Sequence, residues 1–470
     1  MAEPDVVLRG RFGAEHQKRY AHVPFDVPPG VRALHVVYEY TDRISSDPRL
    51  GGGNTLDIGL FDPRGIAPSS PGFRGWSGSN KLAFSLTETW ATPPYMAGPI
   101  APGQWHVLLG PYKVGQRGCE YRVEVTFGDD PGAAQPHPTE AHARRLDLPA
   151  AAEPGWLRGD LHCHTLYSDG DAWPAEMLAE AVRRGLDFLG VTDHNQVGHH
   201  ADYAAVRGPD LPIVLPGVEV TTYGGHWNAW GTATWWDFRE PESGAVGRAM
   251  RAAAAAGALV SVSHPKPYGP AWEYPEILGY HGVEVWNGAW EGLNQAALRW
   301  WEERLRAGRR LVAVGGSDTH YLRTPDPDPH NARRLGSPTT WVQAGADCTP
   351  SGVLAALRAG RAFVSRAPDG PQVYLCADAD GPGLGWRVVG GRGAALVLAS
   401  ADGVAHAARV ASDDWADGLR RPDWRGYLRA ELLDEHGGVL ALTNPLYAPD
   451  CGVRDVVCCS CSAAPCPHAL

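Results

Sequence analysis

The chain has 470 residues, of which 44% are hydrophobic and 20% are charged, and its formal net charge is −11. A chain of this length exceeds what one hydrophobic core supports, so we expect two or three domains. The acidic balance argues against a basic face for duplex DNA. No apolar run is as long as a signal-peptide core or a membrane span, so the sequence predicts a cytoplasmic protein without membrane contact.

The first region, residues 1–128, consists of short apolar runs separated by Gly, Pro, Asp and Ser. This pattern predicts an N-terminal β-sandwich. Residues 121–127 alternate strictly between apolar and polar side chains, as a strand with one buried face does. Residues 129–154 are rich in Pro and Ala and follow neither the helical nor the strand period, which predicts a linker.

Residues 155–366 alternate between short β-type runs and helical stretches. The stretch 174–184 begins with Pro and ends before Gly185, as helices do. Repeated strand and helix units favour a parallel βα architecture, and a distorted (β/α) barrel is the closure we expect. The alternating runs of residues 367–450 predict a small C-terminal β domain. The fold class is therefore α/β, with a barrel flanked by two β regions.

The C-terminal tail, residues 451–470, is rich in cysteine. Only Cys458 and Cys461 have the Cys-x-x-Cys spacing of a zinc knuckle, and no second such pair accompanies them. We therefore predict a disordered tail rather than a metal site.

A His-x-His motif opens the middle region, at His162 and His164. In an extended segment, residues two apart share a face, so both imidazoles can reach one ion, whereas Cys163 points away. An isolated motif of this kind is more often two half-exposed histidines on an edge strand. The remainder of the region decides between these interpretations.

Each predicted strand of the middle region carries a ligand-type residue at or beyond its C-terminal end, where parallel barrels place their active sites. The predicted ligands are His162, His164, Asp169, His194, Glu219, His226, His264, Asp318 and His320. Taken singly, some of them could have a purely structural role: Glu219 could pair with an Arg, His226 could stack on Trp227 in a loop, and Pro265 could fix His264 in a turn. Histidine and carboxylate ligands without cysteine favour Zn, Mn or Fe at a hydrolytic site.

These motifs, in this order, resemble those of the polymerase and histidinol phosphatase (PHP) superfamily, and the flanking sequence resembles its CehA/McbA branch. The motifs are His162-x-His164, Asp169-Gly170, Thr192-Asp193-His194, Gly217-Val218-Glu219, His264-Pro265 and Gly316-Ser317-Asp318-Thr319-His320. The resemblance implies a PHP-type barrel that holds two or three divalent ions. The implied first site is His162, His164, Glu219 and Asp318; the second is Glu219, His264 and His226; the third is Asp169, His194 and His320.

The resemblance implies a metal-dependent hydrolase that uses metal-bound hydroxide on a phosphoester, such as a phosphate monoester or nucleotide phosphate. Glu219, Asp318 and His264 would be the central catalytic residues. Three carboxylates against three divalent ions leave a formal charge of about +3, which favours an anionic small-molecule substrate. One alternative is a carboxyl or carbamate esterase of the CehA type, and a second is an inactive metal-bearing binding module. The sequence leaves the oligomeric state open.

Lys266, Arg323 and Asn195 lie near these motifs in the sequence and could hold substrate oxygens. A solvated loop position is the alternative for all three.

Overall fold

The computed structural model describes residues 3–47, 49–68, 70–129, 137–267, 271–326, 333–377, 383–420 and 426–447. The cysteine-rich tail, residues 451–470, lies outside these residues, so its predicted disorder stays a prediction. None of the helices in the described ranges is long and apolar enough to cross a membrane.

The N-terminal region forms two four-stranded antiparallel sheets. Their strands are β1 (Val6–Phe12), β2 (Ala21–Val27), β3 (Ala33–Tyr40), β4 (Thr55–Phe61), β5 (Phe73–Gly78), β6 (Ala83–Thr87), β7 (Gly103–Lys113) and β8 (Cys119–Gly128). One sheet has the order β1-β8-β3-β6 and the other β2-β7-β4-β5. Leu34, Ile58, Trp105 and Val123 belong to one buried apolar cluster between them. The alternating strand predicted at 121–127 is confirmed within β8.

A third, larger sheet follows, with helices along it. Its elements are β9 (Trp156–Asp160), α1 (Pro174–Arg183), β10 (Phe188–Val191), α2 (His199–Ala205), β11 (Ile213–Thr222), β12 (Gly225–Trp230), α3 (Ser243–Ala255), β13 (Leu259–Val262), β14 (Gly282–Asn287), α4 (Asn294–Arg306), β15 (Val312–Gly316), β16 (Thr339–Gln343), α5 (Pro350–Arg358) and β17 (Ala362–Ser365). The predicted helix at 174–184 is confirmed by α1, which begins at Pro174 and buries Met177 and Leu178.

The larger sheet is mixed rather than purely parallel. β9, β10 and β11 are parallel to one another, as are β13, β14 and β15. β12 runs antiparallel to both β11 and β13, and β16 runs antiparallel to β9. The predicted parallel pairing therefore holds within β9–β11 and within β13–β15, whereas β12, which was not predicted as a strand, and β16 run antiparallel to their neighbours. Only residues 223–224 join β11 to β12, and so short a connection allows only an antiparallel hairpin.

The larger sheet curls so that β15 approaches the strands at its middle. The backbone N–H of Gly315 donates to Thr340 Oγ1 of β16 at 2.9 Å. Beyond the strand ends, Cys163 and Thr319 form a parallel bridge. The segments that follow β9 and β15, which carry the predicted ligands, therefore lie side by side.

The C-terminal region is built of β-strands. They are β18 (Gln372–Ala377), β19 (Gly383–Val389), β20 (Ala395–Ser400), β21 (Gly403–Arg409), β22 (Asp414–Arg420), β23 (Tyr427–Leu433), β24 (Val439–Thr443) and β25 (Leu446–Tyr447). β18, β19 and β22 form a separate three-stranded sheet, whereas β24 pairs with β17. The larger sheet thus continues without a break into the region predicted as a small β domain.

The N-terminal sheets pack directly against the larger sheet. Phe73 of β5 lies 4.6 Å, between ring centroids, from Trp235, which follows β12. Arg239 Nη1 crosses the same interface and donates to the carbonyl of Ile66 at 2.7 Å. Phe61 belongs to the same buried cluster as Val283 of β14. The interface therefore contains a shared apolar core that is crossed by hydrogen bonds.

The described part of the predicted linker, residues 137–154, contains neither a helix nor a strand. It contacts the segment that follows α2, where the backbone N–H of Ala141 donates to the carbonyl of Arg207 at 2.9 Å.

Candidate metal centre

His162 and His164 follow β9 rather than lying within it. Both side chains are buried, and Asp160, the last residue of the strand, holds the turn that carries them. Asp160 Oδ1 accepts the backbone N–H of His162 at 3.0 Å and of Ser317 at 2.9 Å. This one carboxylate therefore fixes both ligand-bearing segments, those after β9 and β15, relative to each other.

Glu219, on β11, stands at the centre of the cluster. Its Oε2 lies 3.2 Å from His162 Nε2 and 3.5 Å from His164 Nε2. Its Oε1 lies 3.2 Å from His226 Nδ1 and 3.1 Å from His264 Nε2. Oε2 also lies 3.0 Å from His194 Nδ1, so the two carboxylate oxygens face two different sets of imidazoles, as the oxygens of a carboxylate that bridges two ions do.

His226 lies on strand β12, not in the loop that the sequence suggested. The hairpin pairs it with Thr221, two residues beyond Glu219. The strand pairing therefore brings the imidazole to the same end of the hairpin as Glu219. His264 follows β13 and adopts an unusual φ of 27°, and its backbone N–H donates to Glu284 Oε2 at 3.0 Å.

Asp318 and His320 follow β15 and face different parts of the cluster. Asp318 Oδ1 lies 3.0 Å from His164 Nε2 and 3.4 Å from His162 Nε2. His320 Nε2 lies 3.2 Å from Asp169 Oδ1, and His194 Nε2 lies 3.5 Å from the same oxygen. Asp169 therefore lies at the centre of a third group of ligand atoms, beside the two groups around the oxygens of Glu219.

The structure brings all nine predicted ligands together in four overlapping groups whose ligand atoms lie within 4.8 Å of one another. The groups are His164, Asp169, His194 and His320; His162, His264 and Asp318; His162, His164 and Glu219; and His194, Glu219 and His226. Adjacent groups share members, so the arrangement suits neighbouring ions rather than one isolated ion.

The chemistry of this cluster fits metal ions. Among the described residues, four buried ligand atoms have no hydrogen-bond partner: His162 Nε2, His164 Nε2, Asp169 Oδ1 and Glu219 Oε2. Buried polar atoms are ordinarily hydrogen-bonded, because leaving them unpaired is costly. All four atoms belong to the groups of ligand atoms described above, and a cation bound among them would satisfy them.

Two carboxylates of the cluster are held in the anionic form that binds metal. Burial alone would raise the pKa of Glu219, but His162, His226 and His194 hold that pKa well below its usual value. Burial also opposes ionisation of Asp318, yet Arg333 and His162 keep its pKa well below the usual range. Both carboxylates are therefore anionic.

His164 is kept neutral. Burial, followed by the neighbouring His320 and His194, lowers its pKa to about 3. The neutral imidazole is the form that donates a lone pair to a metal ion.

Several residues that support the ligands were missed by sequence reasoning. Glu284 Oε1 lies 2.9 Å from His162 Nδ1. Thr221 Oγ1 lies 2.5 Å from His194 Nδ1. Such partners fix ring orientation and leave the other nitrogen for an ion. The available signal for Glu284 was a lone acid between apolar residues of the predicted strand at 283–286.

A cavity of about 750 Å³ opens over the cluster. Lys266 lines it and is 5% exposed, and its Nζ donates to the carbonyl and Oδ1 of Asn287, each at 3.2 Å. Burial, assisted by Arg333, lowers the pKa of Lys266 to about 8. Arg333 also lines the cavity, with Nη2 3.4 Å from Asp318 Oδ2. Two cationic side chains therefore border the space above the ligands.

The two other candidates for substrate contacts have different roles. Arg323 pairs with Glu176 on α1 at 2.6 Å in an exposed position. Asn195 bonds both backbone groups of Thr221, through Oδ1 at 2.7 Å and Nδ2 at 3.0 Å. Asn195 therefore secures the strand that carries Glu219.

Comparisons with known proteins agree with this chemistry in one region. Residues 160–242 match the PHP domain family. A 5'-3' exoribonuclease from Haemophilus influenzae is 34% identical over 64 residues, which cover 13% of this chain and 23% of that relative. The chain therefore matches less than a quarter of the length of this curated relative.

Two solved structures share limited likeness. A two-domain protein from Bacteroides vulgatus, described as containing a predicted PHP-like metal-dependent phosphoesterase, is 20% identical with a TM-score of 0.37, over 67% of this chain and all of that one. An amidohydrolase from Chromobacterium violaceum, with bound sulfate and no metal, is 18% identical with a TM-score of 0.27, over 37% of this chain and 89% of that one. Six of the nine clustered ligands lie within residues 160–242, the segment that matches the PHP domain family.

Proposed function

We propose that this protein is a metal-dependent hydrolase that cleaves phosphoesters of small molecules. The observation that carries the proposal is the division of the Glu219 carboxylate between two sets of imidazoles, beside four buried ligand atoms without hydrogen-bond partners. A structural site needs one closed set of ligands, whereas overlapping groups beneath an open cavity are typical of a hydrolytic centre.

The proposed ligand sets follow the geometry of the cluster. His162, His164, Glu219 and Asp318 would hold one ion, and Glu219, His226 and His264 a second. Asp169, His194 and His320 would hold a third. We further interpret the curled sheet of residues 155–366 as a PHP-type barrel, with the sandwich of residues 1–128 before it and the β region of 367–450 after it.

When bound, divalent ions of the Zn, Mn or Fe type supply Lewis acidity and lower the pKa of water. The chain itself binds and orients the substrate. Lys266 and Arg333, on the cavity wall, would hold the anionic oxygens of a phosphoryl group as charge develops on them. The size of the cavity suits a small molecule. Together, these features favour a phosphate monoester or a nucleotide phosphate.

A carboxyl or carbamate esterase of the CehA/McbA type is the second candidate function. Trp76, Tyr112 and Tyr223 line the cavity and offer an apolar surface for an aryl leaving group. A neutral ester gains less from the two cationic side chains than a phosphoryl dianion does, so we rank this function second. A binding module without activity would have little use for four unpaired ligand atoms.

A substrate panel tests the proposal. The metal-loaded protein is expected to hydrolyse para-nitrophenyl phosphate and nucleoside monophosphates with a higher kcat/KM than aryl acetates and aryl carbamates. His162→Ala should abolish this activity. His35→Ala, at an exposed histidine in the N-terminal sheets, should leave it unchanged. A higher kcat/KM for the carbamates would favour the esterase over the phosphoesterase. Inactivity on every ester would refute both functions.

A further inference from the structure

One wall of the cavity over the metal cluster comes from the N-terminal sheets, far away in sequence. Asp57 of β4, Trp76 and Ser77 of β5 and Tyr112 of β7 all line it. Because the shared apolar core described above fixes these sheets in place, their side chains have defined positions relative to the cluster. The side chains of this wall can therefore take part in the reaction as well as enclose the cavity.

Asp57 is the buried acid in this wall. It is 6% exposed and lines the cavity, and its Oδ2 accepts a hydrogen bond from Tyr223 Oη at 2.7 Å. Tyr223 lies on the turn between Glu219 and His226, so this hydrogen bond joins the sandwich to the ligand-bearing hairpin. The Tyr223 ring is stacked between Tyr20, at 4.9 Å, and Tyr112, at 5.2 Å.

The charge of Asp57 is not balanced by a cation. Among the residues that the structure describes, no Lys or Arg lies within ion-pair distance of its carboxylate, whereas Asp47, another acid lining the cavity, pairs with Arg49 at 2.6 Å. Burial accordingly raises the pKa of Asp57 to about 7, although Tyr223 and His194 oppose the rise. A carboxyl group in this state can hold a proton near neutral pH and release it to a substrate.

We propose that Asp57 is the general acid that protonates the leaving-group oxygen of the substrate. The inference rests on the proposed hydrolase function. As water attacks phosphorus, the bond from phosphorus to the ester oxygen breaks, and the proton of the Asp57 carboxyl group passes to that oxygen. The proton released by the attacking water restores the acid, so that ester and water become alcohol and phosphate. The N-terminal sandwich is then part of the active site.

Several titratable groups surround Asp57 and influence its pKa. They are Tyr223, Tyr20, Tyr38, Tyr40, Tyr112 and His194. Divalent ions in the cluster lower the pKa of Asp57, and an anionic substrate raises it again. The acid works only when protonated, so kcat/KM is expected to fall as pH rises through its pKa.

The variant Asp57→Asn tests this role when it is assayed with two substrates whose leaving groups differ in their need for a proton. Methyl phosphate needs a proton on its departing oxygen, whereas para-nitrophenyl phosphate releases a stable anion. General acid catalysis is typically worth about 10²- to 10⁴-fold, so we expect a loss of about this size with methyl phosphate and of less than about tenfold with para-nitrophenyl phosphate. The control Asp26→Asn, at an exposed position on β2, should leave both rates near the wild-type values, and elemental analysis should find unchanged metal content in both variants. Equal losses for the two substrates would overturn the proposal.

A second variant covers the case in which Asp57→Asn does not fold. Tyr223→Phe removes the hydrogen bond that stabilises the Asp57 carboxylate, so the alkaline fall of kcat/KM should move to higher pH. If the alkaline fall of kcat/KM in Tyr223→Phe stays at the wild-type pH, the proposal is also overturned.

Running methyl and para-nitrophenyl acetates alongside the phosphates separates the two proposals. If the wild-type enzyme is active only on the acetates, the phosphoesterase function is refuted. The role of Asp57 is then decided by comparing the loss of activity that Asp57→Asn causes with methyl acetate and with para-nitrophenyl acetate. Inactivity of the wild type on both pairs refutes both proposals.

Discussion

Glu284 Oε1 lies 2.9 Å from Nδ1 of His162, while Nε2 of the same ring faces Glu219. A carboxylate at this position orients the imidazole and raises its basicity toward an ion. Glu284 also accepts the backbone N–H of His264 through Oε2. One side chain on β14 therefore positions two of the proposed ligands.

Glu284→Gln is expected to weaken metal binding by about 10- to 100-fold, because the amide is a poorer acceptor for the imidazole N–H. Competition with a chelator of known affinity measures the change. Glu303→Gln, at an exposed position on α4, is the matched control and should bind metal as the wild type does. Wild-type affinity in Glu284→Gln would remove this residue from the metal centre.

Glu219→Gln should lose more metal than His226→Ala. The carboxylate faces both sets of imidazoles, whereas His226 belongs to one group. We expect at least one ion fewer per chain in Glu219→Gln than in His226→Ala, measured by elemental analysis after gel filtration. The same stoichiometry in both variants would argue against a bridging role for Glu219.

Lys266→Met should weaken the binding of inorganic phosphate to the metal-loaded protein. A hydrogen bond to a charged group is typically worth about 1.5–3 kcal/mol, which corresponds to an inhibition constant raised about 10- to 100-fold. Lys18→Met, which removes an exposed pair with Glu273, is the control. If phosphate inhibits both variants equally, Lys266 does not contact the anion.

Phe73→Ala should destabilise the whole protein rather than the N-terminal sheets alone. Phe73 is 2% exposed and packs on Trp235 across the interface, and removal of a buried Phe costs about 3–5 kcal/mol. Calorimetry should show a lower Tm in a single transition. Val404→Ala, at a site that is 69% exposed, is the control. Two separate transitions, with only one shifted, would show that the sandwich unfolds independently.

The ligands were predictable where local spacing determines geometry. His162 and His164 are two residues apart and both enter the cluster, whereas Asp318, which has a φ of 55°, and His320 face different parts of it. The strand that carries His226 was missed because 225–230 is short and contains no β-branched residue, although all six of its residues are buried.

Contacts between distant segments could not be predicted. Glu284 and His162 are separated by 122 residues, and Tyr223 and Asp57 by 166. No periodicity links such positions, since their proximity depends on how the larger sheet curls and on where the sandwich packs. The contribution of the N-terminal sheets to the cavity wall is visible only in the folded chain.

Metal removal tests the central claim most directly. The wild-type protein is stripped with a strong chelator, checked by elemental analysis, assayed with para-nitrophenyl phosphate, and then reloaded with Zn, Mn or Fe. We expect no turnover by the stripped protein, and recovery as two or three ions bind per chain. Full turnover by a protein verified to be free of metal would contradict the account.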